Sequence, residues 1–104
     1  MSGLKLPSRL RMDGARAAWA QMSPALRAEA AQVLAAAGRE VRLSASGLTD
    51  FDSSALSLLL SAARQCTEQG ATLKLDDAPE KLRELARVYG VAELFWGPSP
   101  AAQA

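Results

Sequence analysis

The sequence predicts an α/β fold: one small domain in which a mostly parallel β-sheet carries helices packed on it. Three observations point there. Glu40-Val41-Arg42-Leu43-Ser44-Ala45 alternates with period two, so Val41, Leu43 and Ala45 share one face of a strand. Thr72-Leu73-Lys74-Leu75, bounded by Asp76-Asp77, is a second strand. The run between them has helical spacing, and a strand, a helix and a strand in that order favour parallel pairing with a right-handed crossover.

In chain order, Leu4, Leu6, Leu10 and Met12 alternate loosely around Pro7, which fits a short edge strand or an extended lead-in. Asp13 can cap a helix over Gly14 to Gln21, and Ser23-Pro24 reads as a second cap with proline at the first helical position, starting a run to about Ala37. Two helices or one kinked helix satisfy this pattern equally. Leu26, Ala30, Val33 and Leu34 form its apolar stripe, and Gly38 ends it. After the strand at 40–45, Ser46-Gly47 breaks the alternation and Leu48 to Phe51 form a loop.

The helix that follows organises the chain. Asp52 is suited to cap it, since a carboxylate can accept from backbone N–H groups of the first turn while facing the positive end of the helix dipole. Gly70 supplies the stop, which places the helix over Ser53 to Gln69. Leu56, Leu59, Leu60, Ala63 and Cys66 make the stripe that must be buried. A second face, carrying Ser54, Ala55, Leu58, Ala62 and Gln65, has no charge at all. Either the domain covers that face itself or another protein does. The expectation adopted here is that it points outward to a partner, so that Leu58→Arg would spare the fold and abolish docking.

Ala78-Pro79 opens a last long helix in which Leu82, Leu85, Ala86 and Tyr89 are expected to face the sheet, with Gly90 as its stop. Val91, Leu94, Phe95 and Trp96 form a final apolar cluster. The domain is therefore expected over 1–96, with 97–104 a disordered tail, because Gly97-Pro98-Ser99-Pro100-Ala101-Ala102-Gln103-Ala104 is small, polar and broken by proline.

Composition narrows the function. At 104 residues the chain holds one core, and with aromatics at only 5% that core must be built from Leu, Ala and Val. A net charge of +1 from scattered basic residues gives no footprint for nucleic acid. Cys66 is the one cysteine, so no internal disulfide can form. Histidine is absent, which removes the usual general base and the usual zinc ligand together. Neither glycine-rich phosphate-binding motif is present. No cofactor, metal or catalysis is expected. The first residues lack the apolar stretch of a signal peptide and no run is long enough to span a bilayer, so a cytoplasmic protein without membrane insertion of its own is expected.

The run Asp52-Ser53-Ser54-Ala55-Leu56 followed by Leu58-Leu59-Leu60 resembles the signature of STAS domains, the family shared by bacterial anti-anti-sigma factors and sulfate-transporter tails. Gly70, Thr72-Leu73-Lys74-Leu75, Leu82, Leu85-Ala86 and Tyr89-Gly90-Val91-Ala92-Glu93-Leu94 are similar to the rest of that domain. The likeness runs from about Val41 to Phe95 and is greatest to the MlaB-like branch, whose members serve the ABC machine that moves phospholipids across the Gram-negative envelope. It implies a STAS-like fold and a non-catalytic adaptor binding an MlaF-like ATPase subunit, and through it a permease, at the inner membrane. The contact implied is Asp52, Ser53, Ser54, Ala55, Leu58 and Ala62.

The alternative implied by the same family is an anti-anti-sigma factor regulated by phosphorylation of Ser53, since the matching serine is the phosphate acceptor in that branch. Two departures argue against it. Nothing in Pro7-Ser8-Arg9-Leu10-Arg11-Met12 reproduces that branch's early Gly-Glu-Leu-Asp turn, and Ala55 stands where its members usually carry glycine. Read without the family, Ser53 and Ser54 are ordinary helix-start residues. Asp50 and Asp52 form a carboxylate pair, but with nothing beside them to do acid-base work they are read as loop caps.

Overall fold

The computed structural model describes residues 4–96. The elements in order are β1 (Arg9–Leu10), α1 (Ala15–Ala35), β2 (Glu40–Ser44), β3 (Asp50–Phe51), α2 (Ser54–Gln69), β4 (Thr72–Asp76), α3 (Glu80–Val88) and α4 (Ala92–Trp96). All strand pairing among the described residues is parallel. β2 pairs with β4 in the register Val41 to Leu73 and Leu43 to Leu75, and β1 pairs with β3, Arg9 opposite Asp50. The lead-in extends the β2 edge, where the Leu6 N–H donates to the Ser44 carbonyl at 2.8 Å and the Ser44 N–H to the Leu4 carbonyl at 3.0 Å. The fold class and the strands β2 and β4 thus agree with the alternating pattern, but the strands form two two-stranded sheets, and Asp50–Phe51, expected in a loop, pairs with Arg9–Leu10 as β3; the tail at 97–104 lies outside the described residues.

Alternation places the core on one side of the sheet. Val41, Leu43, Ala45, Leu73 and Leu75 are buried, whereas Glu40, Arg42 and Thr72 between them are exposed. Arg42 bridges the open face by pairing with Asp76 at 2.6 Å and Glu40 at 3.4 Å. α1 lies against β2 and α2 against β4, and the two helices also pack on each other. Leu26 and Ala30 of α1, Leu56, Leu59 and Cys66 of α2, Leu82 and Ala86 of α3, and Phe95 of α4 close the core. Burial pushes the Cys66 thiol pKa up, as suits a small hydrophobe rather than a reactive thiolate.

The first helical region departs from the two-cap reading. α1 is one helix of 21 residues with Pro24 inside it, and its cap is Gly14, not Asp13. Asp13 is held elsewhere, in a two-pronged pair with Arg9 at 3.1 Å on both oxygens. Proline inside a helix removes one hydrogen bond and costs about 3 kcal/mol. The offset is tertiary: Leu26 and Ala30, just beyond the proline, are buried, and Ser23 just before it is bonded to α2.

α2 ends where its glycine places the stop, with Gly70 left-handed at φ 95°. α3 also stops at its glycine, Gly90 at φ 73°, but Tyr89 does not face the sheet. It is exposed, as is Val88, because α3 packs inward through Leu82, Leu85 and Ala86; Leu94 of α4 is exposed as well.

Candidate functional site

The carboxyl ends of β1 and β3 and the start of α2 come together at one corner of the domain. Asp50 opens the β3 pairing and is bonded to Arg11, with Arg9 3.5 Å away on its other oxygen. Asp52 joins two chain segments: one carboxylate oxygen accepts the Ser54 N–H at 2.8 Å, and the other accepts the Met12 N–H at 3.2 Å, in the turn before α1. The carboxylate thus caps α2 as expected, although the backbone cap position falls on Ser53. The Ser54 N–H, and after it the Met12 N–H and the charge of Arg11, hold the Asp52 pKa below the ordinary carboxylate range. Each carboxylate thus has its own structural partners.

Ser53 is exposed and Ser54 half-buried. The first-turn donors of α2 are already used: the Ala55 N–H reaches the Asp52 carbonyl at 3.0 Å, while Leu56 and Ser57 share the Ser53 carbonyl at 3.1 and 3.3 Å. A group presented at Ser53 meets the helix dipole but not the donors of Ser54 to Ser57.

The second face of α2 is where the structure corrects the sequence. Ala55 and Ala62 are 0% exposed and Leu58 5%. Ala55 and Ala62 offer no docking surface and Leu58 shows only an edge, because α1 packs on this side of α2. The seal is fixed by Gln65 on the same face, whose Oε1 accepts from the Ser23 hydroxyl at 2.7 Å and whose Nε2 donates to the Ser23 carbonyl at 2.9 Å. The Gln69 amide likewise donates to the Arg27 carbonyl at 3.2 Å. The neutral face thus exists to receive another helix of the same chain, and the outward-flank expectation is wrong for Ala55, Leu58 and Ala62.

What stays open is a groove of about 290 Å³ between the first turns of α1 and α2, lined by Met12, Ala15, Arg16, Trp19, Ser54, Ser57, Leu58 and Ser61. Met12 is 76% exposed at its rim. Ser57 and Ser61 are exposed and, with Ser53, repeat every four residues along one face of α2. Ser53 is among the residues expected at the contact, whereas Ser57 and Ser61, legible as the same four-residue spacing, are additions the structure makes. The loose alternation that includes Met12 gives no sign of a groove, and the place of Met12 and Trp19 depends on how α1 crosses α2.

No group of three or more His, Cys, Asp or Glu among the described residues could hold a metal ion. No helix among them is long and apolar enough to cross a membrane. Fold and site together define a small α/β module that presents the start of a helix at the carboxyl ends of parallel strands, a regulatory or adaptor type of domain. The chain belongs to the STAS family: the family model described as "Mlab, STAS domain" matches residues 2–95. No curated protein matches the chain, and no solved structure does.

Proposed function

We propose that this chain is a non-catalytic STAS adaptor that docks on the cytosolic, MlaF-like ATPase of a phospholipid ABC transporter, and through it on the permease. On this reading it works in the cytoplasm, peripheral to the inner membrane through its partner. The observation that carries the proposal is the match to the Mlab-type STAS model across residues 2–95. The contact is the exposed strip formed by the cap residue Ser53 and by Ser57 and Ser61 of α2, with Asp52 and Ser54 shaping its start and Met12 and Trp19 across the groove. An exposed methionine and a half-buried tryptophan beside serines and one cation, Arg16, suit a protein partner, since methionine, aromatic and arginine side chains are favoured at protein interfaces.

A second reading, phosphorylation of Ser53 as in anti-anti-sigma factors, is supported by the exposure of that hydroxyl. It is disfavoured by the bonded first-turn donors and by the neighbouring Asp52 carboxylate, which would repel a phosphate carrying about −1.5 to −2 charges. The experiment is co-purification of the ATPase with Ser57→Arg/Ser61→Arg. Both positions are solvent-exposed, so the variant keeps its melting temperature and loses the ATPase. A folded variant that still retains the ATPase at normal stoichiometry overturns the docking surface. A one-phosphate rise in intact mass, given cellular kinase and ATP and absent in Ser53→Ala, moves the function to the second reading.

A further inference from the structure

A second recess lies on the α3–α4 side and shares no lining residue with the groove beside α2. It has a volume of about 260 Å³ and is walled by Arg83, Arg87, Ala92 and Trp96. Arg83 and Arg87 stand one helical turn apart on α3, so both guanidinium groups reach the same space. The Arg83 guanidinium lies over the Trp96 ring, 5.1 Å from its centroid, and Phe95 meets that ring edge-on at 5.6 Å. Stacking of this kind holds a guanidinium by its face and leaves the N–H groups along its edge available.

The charge here is not spent on carboxylates. Arg9, Arg11 and Arg42 pair with Asp13, Asp50 and Asp76, whereas neither Arg83 nor Arg87 has a carboxylate within ion-pair distance among the described residues. Glu84 lines the adjoining recess with Arg87 and Val88, not this one.

We propose that this recess is an oxyanion site of the phosphate type. One guanidinium edge satisfies a carboxylate, which has two oxygens; two guanidinium groups around one space match a tetrahedral group with three or more oxygens and up to two charges. The phosphate can come from a free anion or from a lipid headgroup. Trp96 forms the wall and reports occupancy, because an anion drawing on Arg83 changes the field over its indole.

The test uses the full chain carrying Trp19→Phe, which leaves Trp96 as its one tryptophan. Inorganic phosphate is titrated at constant ionic strength against chloride, with Trp96 emission as the readout. Saturation is expected, and Arg83→Gln and Arg87→Gln each weaken it at least about tenfold, while the exposed Arg64→Gln does not. Circular dichroism checks that each variant is folded. Phosphatidylglycerol and phosphatidylcholine vesicles then separate the sources. Sedimentation with phosphatidylglycerol alone, released by phosphate, assigns a headgroup; saturation by phosphate without vesicle binding assigns a free anion. No saturable response, a response indifferent to both arginine variants, or binding of a polyglutamate peptide in preference to phosphate overturns the site.

Discussion

Ser23 and Gln65 bond each other twice, hydroxyl to amide oxygen at 2.7 Å and amide nitrogen to carbonyl at 2.9 Å, and so lock α1 onto α2 at the point where proline interrupts α1. Gln65 is 8% exposed and is the buried polar side chain of the described core. Leaving one partner of a buried pair unsatisfied costs about 1–3 kcal/mol. Gln65→Ala should lower stability by that amount, and adding Ser23→Ala should cost less than the sum of the two. A double-mutant cycle from urea denaturation measures it, and strict additivity would mean the two residues are not coupled.

Leu58 now separates two kinds of variant. A charge forced under α1 without a partner destabilises by about 3–5 kcal/mol, so Leu58→Arg should lower the denaturation midpoint sharply, before any effect on docking can be read. Ser57→Arg, one residue away and exposed, should leave the midpoint unchanged. Equal midpoints for the two would place Leu58 in solvent.

Asp52 gives the fold an acid limb. Its folded pKa is depressed, chiefly by the Ser54 N–H and then by Met12 and Arg11, so its contribution is present above the unfolded carboxylate pKa of about 4 and is lost as pH falls through the lower folded value. Asp13 acts in the same sense through Arg9. Asp52→Asn keeps an acceptor oxygen and removes the charge. Denaturation midpoints between about pH 2 and 6 should fall less steeply for this variant than for the parent; parallel curves would remove Asp52 from the acid transition.

Gly70 isolates backbone strain from packing. A Cβ built there meets nothing within 4 Å, yet φ is 95°. Gly70→Ala should therefore cost about 1–2 kcal/mol through conformation alone, shifting the melting temperature by about 4–8 °C per kcal/mol for a domain of this size. Gly14→Ala serves as the comparison, since Gly14 has φ −117° and equally open surroundings, and should be neutral or better.

Local chemistry made much of this fold readable. The alternation at Val41, Leu43 and Leu73, Leu75, the Gly70 stop and the Asp52 cap are short-range signals, and each stands in the structure. What misled were residues whose local preference lost to a distant partner. Ser23-Pro24 has the chemistry of a helix start, but the Ser23 hydroxyl is taken by Gln65, 42 positions away. Asp13 has the chemistry of a cap, but Arg9 holds it. At the site the same rule applies: Asp52, Ser53 and Ser54 stand at the accessible corner, while the uncharged flank of Ala55, Leu58 and Ala62 was a correct sign of burial assigned to the wrong neighbour. Neutrality tells that a face is covered, and only the crossing of α1 tells by what.

Every strand pairing described here joins segments more than 30 residues apart, and none is a hairpin. No sheet contact can therefore zip outward from a tight turn, and β4 reaches β2 only once α2 has condensed between them. A nascent chain released before β4 emerges can therefore lay one face of α2 on α1 but has no strand to receive the other.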